Sequence, residues 1–144
     1  MNDTFDLARF LTAQGRQYSQ VLAELREGRK ASHWMWYIFP QIQGLGLSET
    51  SRFYAISSLA EAKAYLAHPV LGARLRQCTS LVNQVANRSI TQIFGDIDAV
   101  KFRSSMTLFS AAGDDPGVFR AALEKYFDGK PDERTLAALE KPEA

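Results

Sequence analysis

An aromatic segment in the first third of the chain constrains the fold more than any other stretch. His33–Gln41 reads HWMWYIFPQ, holds both tryptophans and forms the longest unbroken apolar run. Its apolar character is continuous rather than alternating, so periodicity does not distinguish a buried strand from a buried turn or short helix. Pro40 disfavours a helical residue before it, and Gly44 and Gly46 permit backbone conformations that other residues resist. We therefore expect a long structured loop over residues 28–47, with one short extended piece at most, and loops of this length are often functional.

Helical periodicity dominates the rest of the chain. Apolar residues recur at steps of three and four from Asp3 to about Glu27, which predicts one long helix that ends at Gly28. Capping signatures and prolines predict further helix starts at Ser48, Ser58, Pro69, Ser89, Asp96 or Asp98, and after the turn at Gly113–Pro116. Gly95 should end the short helix that begins at Ser89.

These elements add up to an all-α fold of six or seven amphipathic helices without convincing strands. A length of 144 residues fits one domain, and 46% hydrophobic residues are enough for a packed core. We expect a single domain over residues 1–144, with its core at about 4–128 and a peripheral C-terminal segment at 129–144.

Charge and cysteine content narrow the class of protein. Seventeen basic residues against 16 acidic ones, scattered along the chain, disfavour a nucleic-acid or anionic-membrane partner. The single cysteine, Cys78, cannot form an intramolecular disulfide and lies on a predicted apolar helix face. Without a signal peptide or an apolar run of about 20 residues, the expected location is cytoplasmic. One cysteine and two separated histidines give no metal-ligand cluster, and we expect no cofactor.

The helix after Asp98 carries a polar stripe next to its apolar face, which predicts a pocket wall. The stripe runs at steps of three and four through Asp98, Lys101, Ser105 and Leu108, with Ser104 beside it. The alternative is a solvated face on which Asp98 and Lys101 form an ion pair, worth about a few tenths of a kcal/mol.

The aromatic segment supplies the other candidates. Of the two histidines, His33 is better suited to acid–base chemistry or a phosphate contact, the alternative being a hydrogen-bonded structural histidine. Of Trp34 and Trp36, at least one is expected in the core, which leaves the other to stack on a ligand ring.

Six sequence blocks together carry a family resemblance over nearly the whole chain. They are G-x-K-x-x-H-W-M-W-x-x-F-P-Q from Gly28, G-L-G-x-S from Gly44, Y-A-I from Tyr54, Y-L-x-H-P-x-L-G-x-R-L from Tyr65, I-F-G from Ile93 and D-x-x-K-x-x-S-S-M-T-L-F from Asp98. In this combination the chain resembles the bacterial family called domain of unknown function 1810, whose members are often labelled calpastatin. The resemblance implies a mainly helical single domain and brings no activity with it. The calpastatin label does not fit, because that inhibitor is disordered and this composition is that of a packed globule.

A second likeness, to the NADAR or YbiA-like domains, concerns fewer residues. It rests on Y-A-I at Tyr54, the pair His68–Pro69, and Asp98-x-x-Lys101 followed by Met106. Those domains are associated with ADP-ribose chemistry, including its removal from guanine bases, and an Asp-x-x-Lys element begins a helix near their site. The likeness implies a site role for Lys101 with Asp98 beside it. The Glu-His pair typical of that family's second block is missing, since the comparable region is aromatic here.

Two functional hypotheses follow. In the first, a pocket between the aromatic loop and the Lys101 helix binds, and in the fuller version hydrolyses, an ADP-ribose- or nucleotide-like compound. The ring of the ligand would stack on Trp34 or Trp36. Lys101 and His33 would act on the bond that is hydrolysed, and the remaining contacts to the ligand would come from Lys30, Arg74, Asp98, Ser104 and Ser105. In the second, the aromatic loop is an exposed patch that docks a protein partner without catalysis. Sheltered tryptophans favour the first hypothesis and exposed ones the second.

Overall fold

Helices account for all the regular secondary structure in the described part of the chain. The computed structural model describes residues 3–113 and 117–140, which contain α1 (Ala8–Gly15), α2 (Tyr18–Glu27), α3 (Met35–Ile38), α4 (Glu49–Tyr54), α5 (Leu59–Ala67), α6 (Leu71–Gln84), α7 (Ile90–Ala112), α8 (Gly117–Phe127) and α9 (Glu133–Glu140). The predicted all-α class is confirmed, and the helices are more numerous than the six or seven expected. Most of the turn predicted at Gly113–Pro116 lies outside the described residues.

The first predicted helix is divided into two. α1 ends at Gly15, and Gln17 leaves the helical region with φ −125° and ψ 0° before α2 begins. Glycine is a poor helix former, which makes this the weakest point of the long amphipathic run. Gly28 ends α2 with a φ of +73°, as its position predicted.

The aromatic segment is less loop-like than predicted. It contains the single-turn helix α3, which ends before Pro40 because Phe39 takes φ −124° and ψ 73°. Beyond Pro40, an isolated parallel bridge pairs Ile42 with Ile56. The extended piece expected in this segment is therefore one bridge long.

α7 is the central helix, and it is broken where the sequence predicted. Ser89 and Gln92 form a reciprocal capping box at its start. Gly95 then takes φ +83° and ψ 169°, a conformation that suits glycine and interrupts the helix. After the break, α7 packs against α5, α8 and α9.

An aromatic cluster joins α7 to the aromatic segment. The ring of Phe39 meets the rings of Phe94 and Phe102 edge-on, at 5.8 and 5.0 Å between centroids. Trp34 completes the cluster, 6.2 Å from Phe39 and 6.4 Å from Phe94. These geometries are the favourable ones for aromatic pairs, so the segment is fixed to the core rather than free at the surface.

The C-terminal helix docks on α7 through polar contacts. The Asp132 carboxylate accepts hydrogen bonds from the Ser104 hydroxyl at 3.1 Å and from the backbone N–H of Thr135 at 3.1 Å. The backbone N–H of Asp132 donates to the Thr107 hydroxyl at 2.8 Å. Among the described residues, no helix combines the length and the apolar character that crossing a membrane requires.

Candidate functional site

The start of the aromatic segment is held by a buried carboxylate on α2. Glu24 accepts hydrogen bonds from the backbone N–H groups of Ala31 and Ser32, at 2.7 and 3.0 Å, and from the Ser32 hydroxyl at 2.7 Å. The Trp34 indole N–H and the Gln20 amide also donate to it, each at 3.0 Å. Burial alone raises the pKa of Glu24, but these hydrogen bonds outweigh it and lower the pKa from 4.5 to about 2. The ionised carboxylate therefore fixes the backbone that carries Lys30 and His33.

A cluster of two lysines and an aspartate links this segment to α7. The Lys30 ammonium lies 2.9 Å from Asp98 Oδ2, and the Lys101 ammonium lies 3.8 Å from Asp98 Oδ1. The side chains of Lys30 and Asp98 are 9% and 19% exposed, and that of Lys101 is 24% exposed. Lys30 also lies 5.1 Å from the Trp34 ring, whereas Lys101 lies 5.4 Å from the ring of Trp36. Lys30 thus acts mainly as a clamp, and Lys101 keeps more of its ammonium free for another acceptor.

These residues surround a cavity of about 310 Å³, which we call the basic cavity. It is lined by Lys30, His33, Met35, Trp36, Phe94, Gly95, Ile97, Asp98 and Lys101. His33 is exposed, and Trp36 is half-buried. The predicted candidates Lys30, His33, Trp36, Asp98 and Lys101 are therefore brought together, although they come from two segments some 60 residues apart in the sequence.

Trp34 faces the core instead. Its side chain is completely buried, and its N–H is used by Glu24. This matches the expectation that at least one tryptophan packs in the core, and it leaves Trp36 as the indole beside the cavity.

The other three candidates lie away from the basic cavity. The Arg74 guanidinium is 4.6 Å from the ring of Tyr18 and donates to the Gln14 side chain at 3.4 Å. Ser104 and Ser105 are buried; the Ser104 hydroxyl lies against Asp132, and the Ser105 hydroxyl has no partner within the described structure. Beyond Lys101, the side chains of the predicted polar stripe are not open to a ligand, because neighbouring helices cover the rest of α7.

A second and larger cavity, of about 870 Å³, lies between the end of the aromatic segment, α4, the start of α5 and α9. We call it the neutral cavity because its described lining residues are almost all uncharged, Arg52 being the exception. The lining comprises Phe5, Trp36, Gln41, Ile42, Gln43, Gly44, Gly46, Leu47, Ser51, Arg52, Tyr54, Ala55, Ser57, Ser58, Leu59, Ala138 and Leu139. Trp36 is common to both cavities.

Sequence reasoning missed the neutral cavity and the role of Glu24. The sequence signal for the neutral cavity was the end of the aromatic segment, where Pro40, Gly44 and Gly46 lie close together. The signal for the second was an acidic residue next to Leu25 on the apolar side of α2, since a buried acid needs several donors.

The chemistry open to other reactive groups is limited. Burial raises the pKa of the Cys78 thiol to about 12, so it stays protonated at neutral pH. Within residues 3–113 and 117–140, no group of three or more His, Cys, Asp or Glu side chains is arranged to hold a metal ion.

Comparison with known proteins assigns the fold and the family. A family model described as "Protein of unknown function (DUF1810)" matches residues 4–139. The crystal structure of the conserved hypothetical protein Rv1873 from Mycobacterium tuberculosis is similar, with a TM-score of 0.96 and 54% sequence identity over 97% of this chain and 100% of that chain. No curated protein matches.

Proposed function

The chain belongs to the DUF1810 family, and from the geometry of its basic cavity we propose that it binds an ADP-ribose- or nucleotide-like ligand there. One observation carries the proposal. Five of the nine site residues predicted from the sequence, Lys30, His33, Trp36, Asp98 and Lys101, line one cavity, although they come from two distant segments.

The charge of the cavity supports an anionic group such as a phosphate. Two ammonium groups face one carboxylate, so the cluster has a formal charge of +1 before His33 is considered. Asp98 is closely paired with Lys30 at 2.9 Å, whereas its distance to Lys101 is 3.8 Å. Lys101 can therefore turn donors toward a ligand without breaking the tighter ion pair. A phosphate accepts such charge-assisted hydrogen bonds well.

The Trp36 indole, which lines the neutral cavity as well, supports a ring beside that anion. Met35, Phe94 and Ile97 line the cavity together with half-buried Trp36. A ring stacked on the Trp36 indole would lie next to the Lys101 ammonium, because the two are 5.4 Å apart in the free protein. Water excluded by the apolar walls would strengthen the charged contacts.

Hydrolysis of a glycosidic bond is the fuller version of the proposal. Lys101 would stabilise the negative charge of the leaving part, and His33 would accept or return a proton at the mouth of the cavity. Water would add its hydroxyl to the ribose carbon and its proton to the departing group. The alternative, a docking patch made of the aromatic segment, has exposed Leu47 in its favour, but Trp34 is completely buried and Trp36 is half-buried, which favours the pocket.

Calorimetric titration with ADP and ADP-ribose tests the proposal. Replacing Lys101 with Ala should weaken binding about 10- to 100-fold, the usual size of a charged hydrogen bond. Lys63→Ala is the matched control, because Lys63 is an exposed lysine on α5 that lines neither cavity, and it should bind as the wild type does. Equal affinities for Lys101→Ala and Lys63→Ala, or no binding of either ligand to the wild type, would contradict the proposal.

A further inference from the structure

We infer that the neutral cavity holds the uncharged base-and-ribose half of the same ligand whose phosphate lies in the basic cavity. The inference rests on the proposed function and deepens it. It makes the ligand a two-part molecule, a nucleotide or dinucleotide derivative, rather than an inorganic anion or a simple sugar phosphate.

Size is the first argument. Pockets for drug-sized ligands occupy about 300–1,000 Å³. The basic cavity, at about 310 Å³, is at the lower end of that range and takes one fragment of a nucleotide. The neutral cavity, at about 870 Å³, has room for a base and its ribose. Trp36 lines both, so the two halves of one ligand would meet at this residue.

The polar groups of the neutral cavity suit the edge of a base. Two backbone hydrogen bonds of 2.8 Å, from Ile56 N–H to the Gln41 carbonyl and from Gln43 N–H to the Ile56 carbonyl, hold this stretch beside Ile56. Both glutamines flank Ile42, and both line the cavity. Neither side-chain amide has a hydrogen-bond partner in the described part of the chain. A carboxamide offers a donor and an acceptor side by side, which is the pattern that reads a purine edge.

The apolar side chains of the neutral cavity also suit a base. Phe5 and half-buried Tyr54 provide flat apolar surface for a heterocycle. Among the described lining residues the one charged side chain is that of Arg52, and no carboxylate is found, so nothing on these walls repels a ligand with a phosphate attached. The side-chain amides and flat rings of this cavity suit a base, and Trp36 joins it to the cavity that holds the lysine–aspartate cluster.

Two probes separate the halves of the site, inorganic pyrophosphate for the basic cavity and ADP for both cavities. We expect Gln41→Leu, which keeps the volume of the side chain, to weaken ADP binding about tenfold and to leave pyrophosphate binding unchanged. Ala138→Trp fills the neutral cavity from α9 and should weaken ADP binding at least tenfold, also without affecting pyrophosphate. Ala121→Trp is its matched control, an exposed alanine on α8 that lines neither cavity.

The outcomes distinguish this inference from the proposed function. If ADP binds equally well to Gln41→Leu, Ala138→Trp and the wild type, while Lys101→Ala binds it more weakly, the inference is wrong and the basic cavity stands alone. If Gln41→Leu or Ala138→Trp weakens pyrophosphate as much as ADP, the anion lies in the neutral cavity and the inference is again wrong. If ADP binding does not depend on Lys101, the proposed function itself fails.

Discussion

At the scale of single residues, Glu24 shows how a buried charge positions a site it does not touch. Glu24 is 6% exposed, and its carboxylate accepts five hydrogen bonds from donors on α2 and on the segment that follows α2. A buried carboxylate is tolerable only when several donors compensate for the water it has lost. The same donors fix the backbone between Ala31 and Trp34, next to Lys30 and His33. Glu24 is therefore a positioning residue for the basic cavity.

The depressed pKa of Glu24 makes part of the stability depend on pH. As the pH falls below 4.5, the unfolded chain takes up a proton at Glu24 that the folded chain, with its pKa of about 2, does not. The stabilisation is therefore complete above about pH 4.5 and is lost as the pH falls toward 2, and its full size is on the order of 3 kcal/mol. Urea unfolding should show Glu24→Gln less stable than wild type by about 2–3 kcal/mol at pH 6, with the gap narrowing at pH 3.

The matched control for this substitution is Glu27→Gln, which alters an exposed carboxylate at the end of the same helix. Its effect should stay within about 0.5 kcal/mol at both pH values. A Glu24→Gln variant whose deficit is as large at pH 3 as at pH 6 would refute the hydrogen-bonded carboxylate.

At the scale of elements, capping residues, prolines and glycines in the sequence located most helix ends. Glycines account both for breaks that were predicted correctly and for one that was missed. Gly28 and Gly95 were predicted as breaks, and both take positive φ values. Gly15 was overlooked because the apolar stripe continues past it, and the single predicted helix is in fact two. The length of the aromatic helix α3 could not be predicted, since its single turn depends on packing against other elements rather than on its own propensity.

The close approach of α5 and α6 gives a prediction at this scale. A Cβ at Gly72 would lie 2.1 Å from the Leu66 carbonyl oxygen, so Gly72→Ala requires a backbone shift. We expect it to lower the free energy of unfolding by about 2 kcal/mol or more. Gly15→Ala is the comparison, because no atom lies within 4 Å of its Cβ position. It should be neutral or stabilising by up to about 1 kcal/mol, since alanine is the better helix former.

Thermal or denaturant unfolding of the two variants measures the difference. If Gly72→Ala had the same free energy of unfolding as Gly15→Ala, the close packing of α6 on α5 described above would be wrong.

At the scale of the whole molecule, the sequence predicted the fold class, and the structure separates its site candidates into those that line the basic cavity and those that do not. Lys101 and Asp98 stood out because a polar stripe at helical spacing lay beside a core face, and His33 and Trp36 because of the aromatic segment. Ser104 and Ser105 were chosen from the same stripe and Arg74 as a further ligand contact, yet all three lie away from the basic cavity. Which polar residues remain open to a ligand depends on how helices cover one another, and local spacing does not contain that information. The neutral cavity was missed for the same reason, because α9 and the N-terminal Phe5 complete it from opposite ends of the chain.

The most direct test of the central claim uses the two tryptophans as reporters. In a protein labelled with ¹⁵N-tryptophan, the chain gives two indole N–H signals, and a Trp36→Phe variant assigns them. Titration with ADP-ribose should move the Trp36 signal, since Trp36 lines both cavities, and should move the signal of buried Trp34 much less, since its N–H stays bound to Glu24. A Trp36 signal that stays in place while calorimetry shows ADP-ribose bound, or no binding at millimolar ligand, would contradict the assignment of the site.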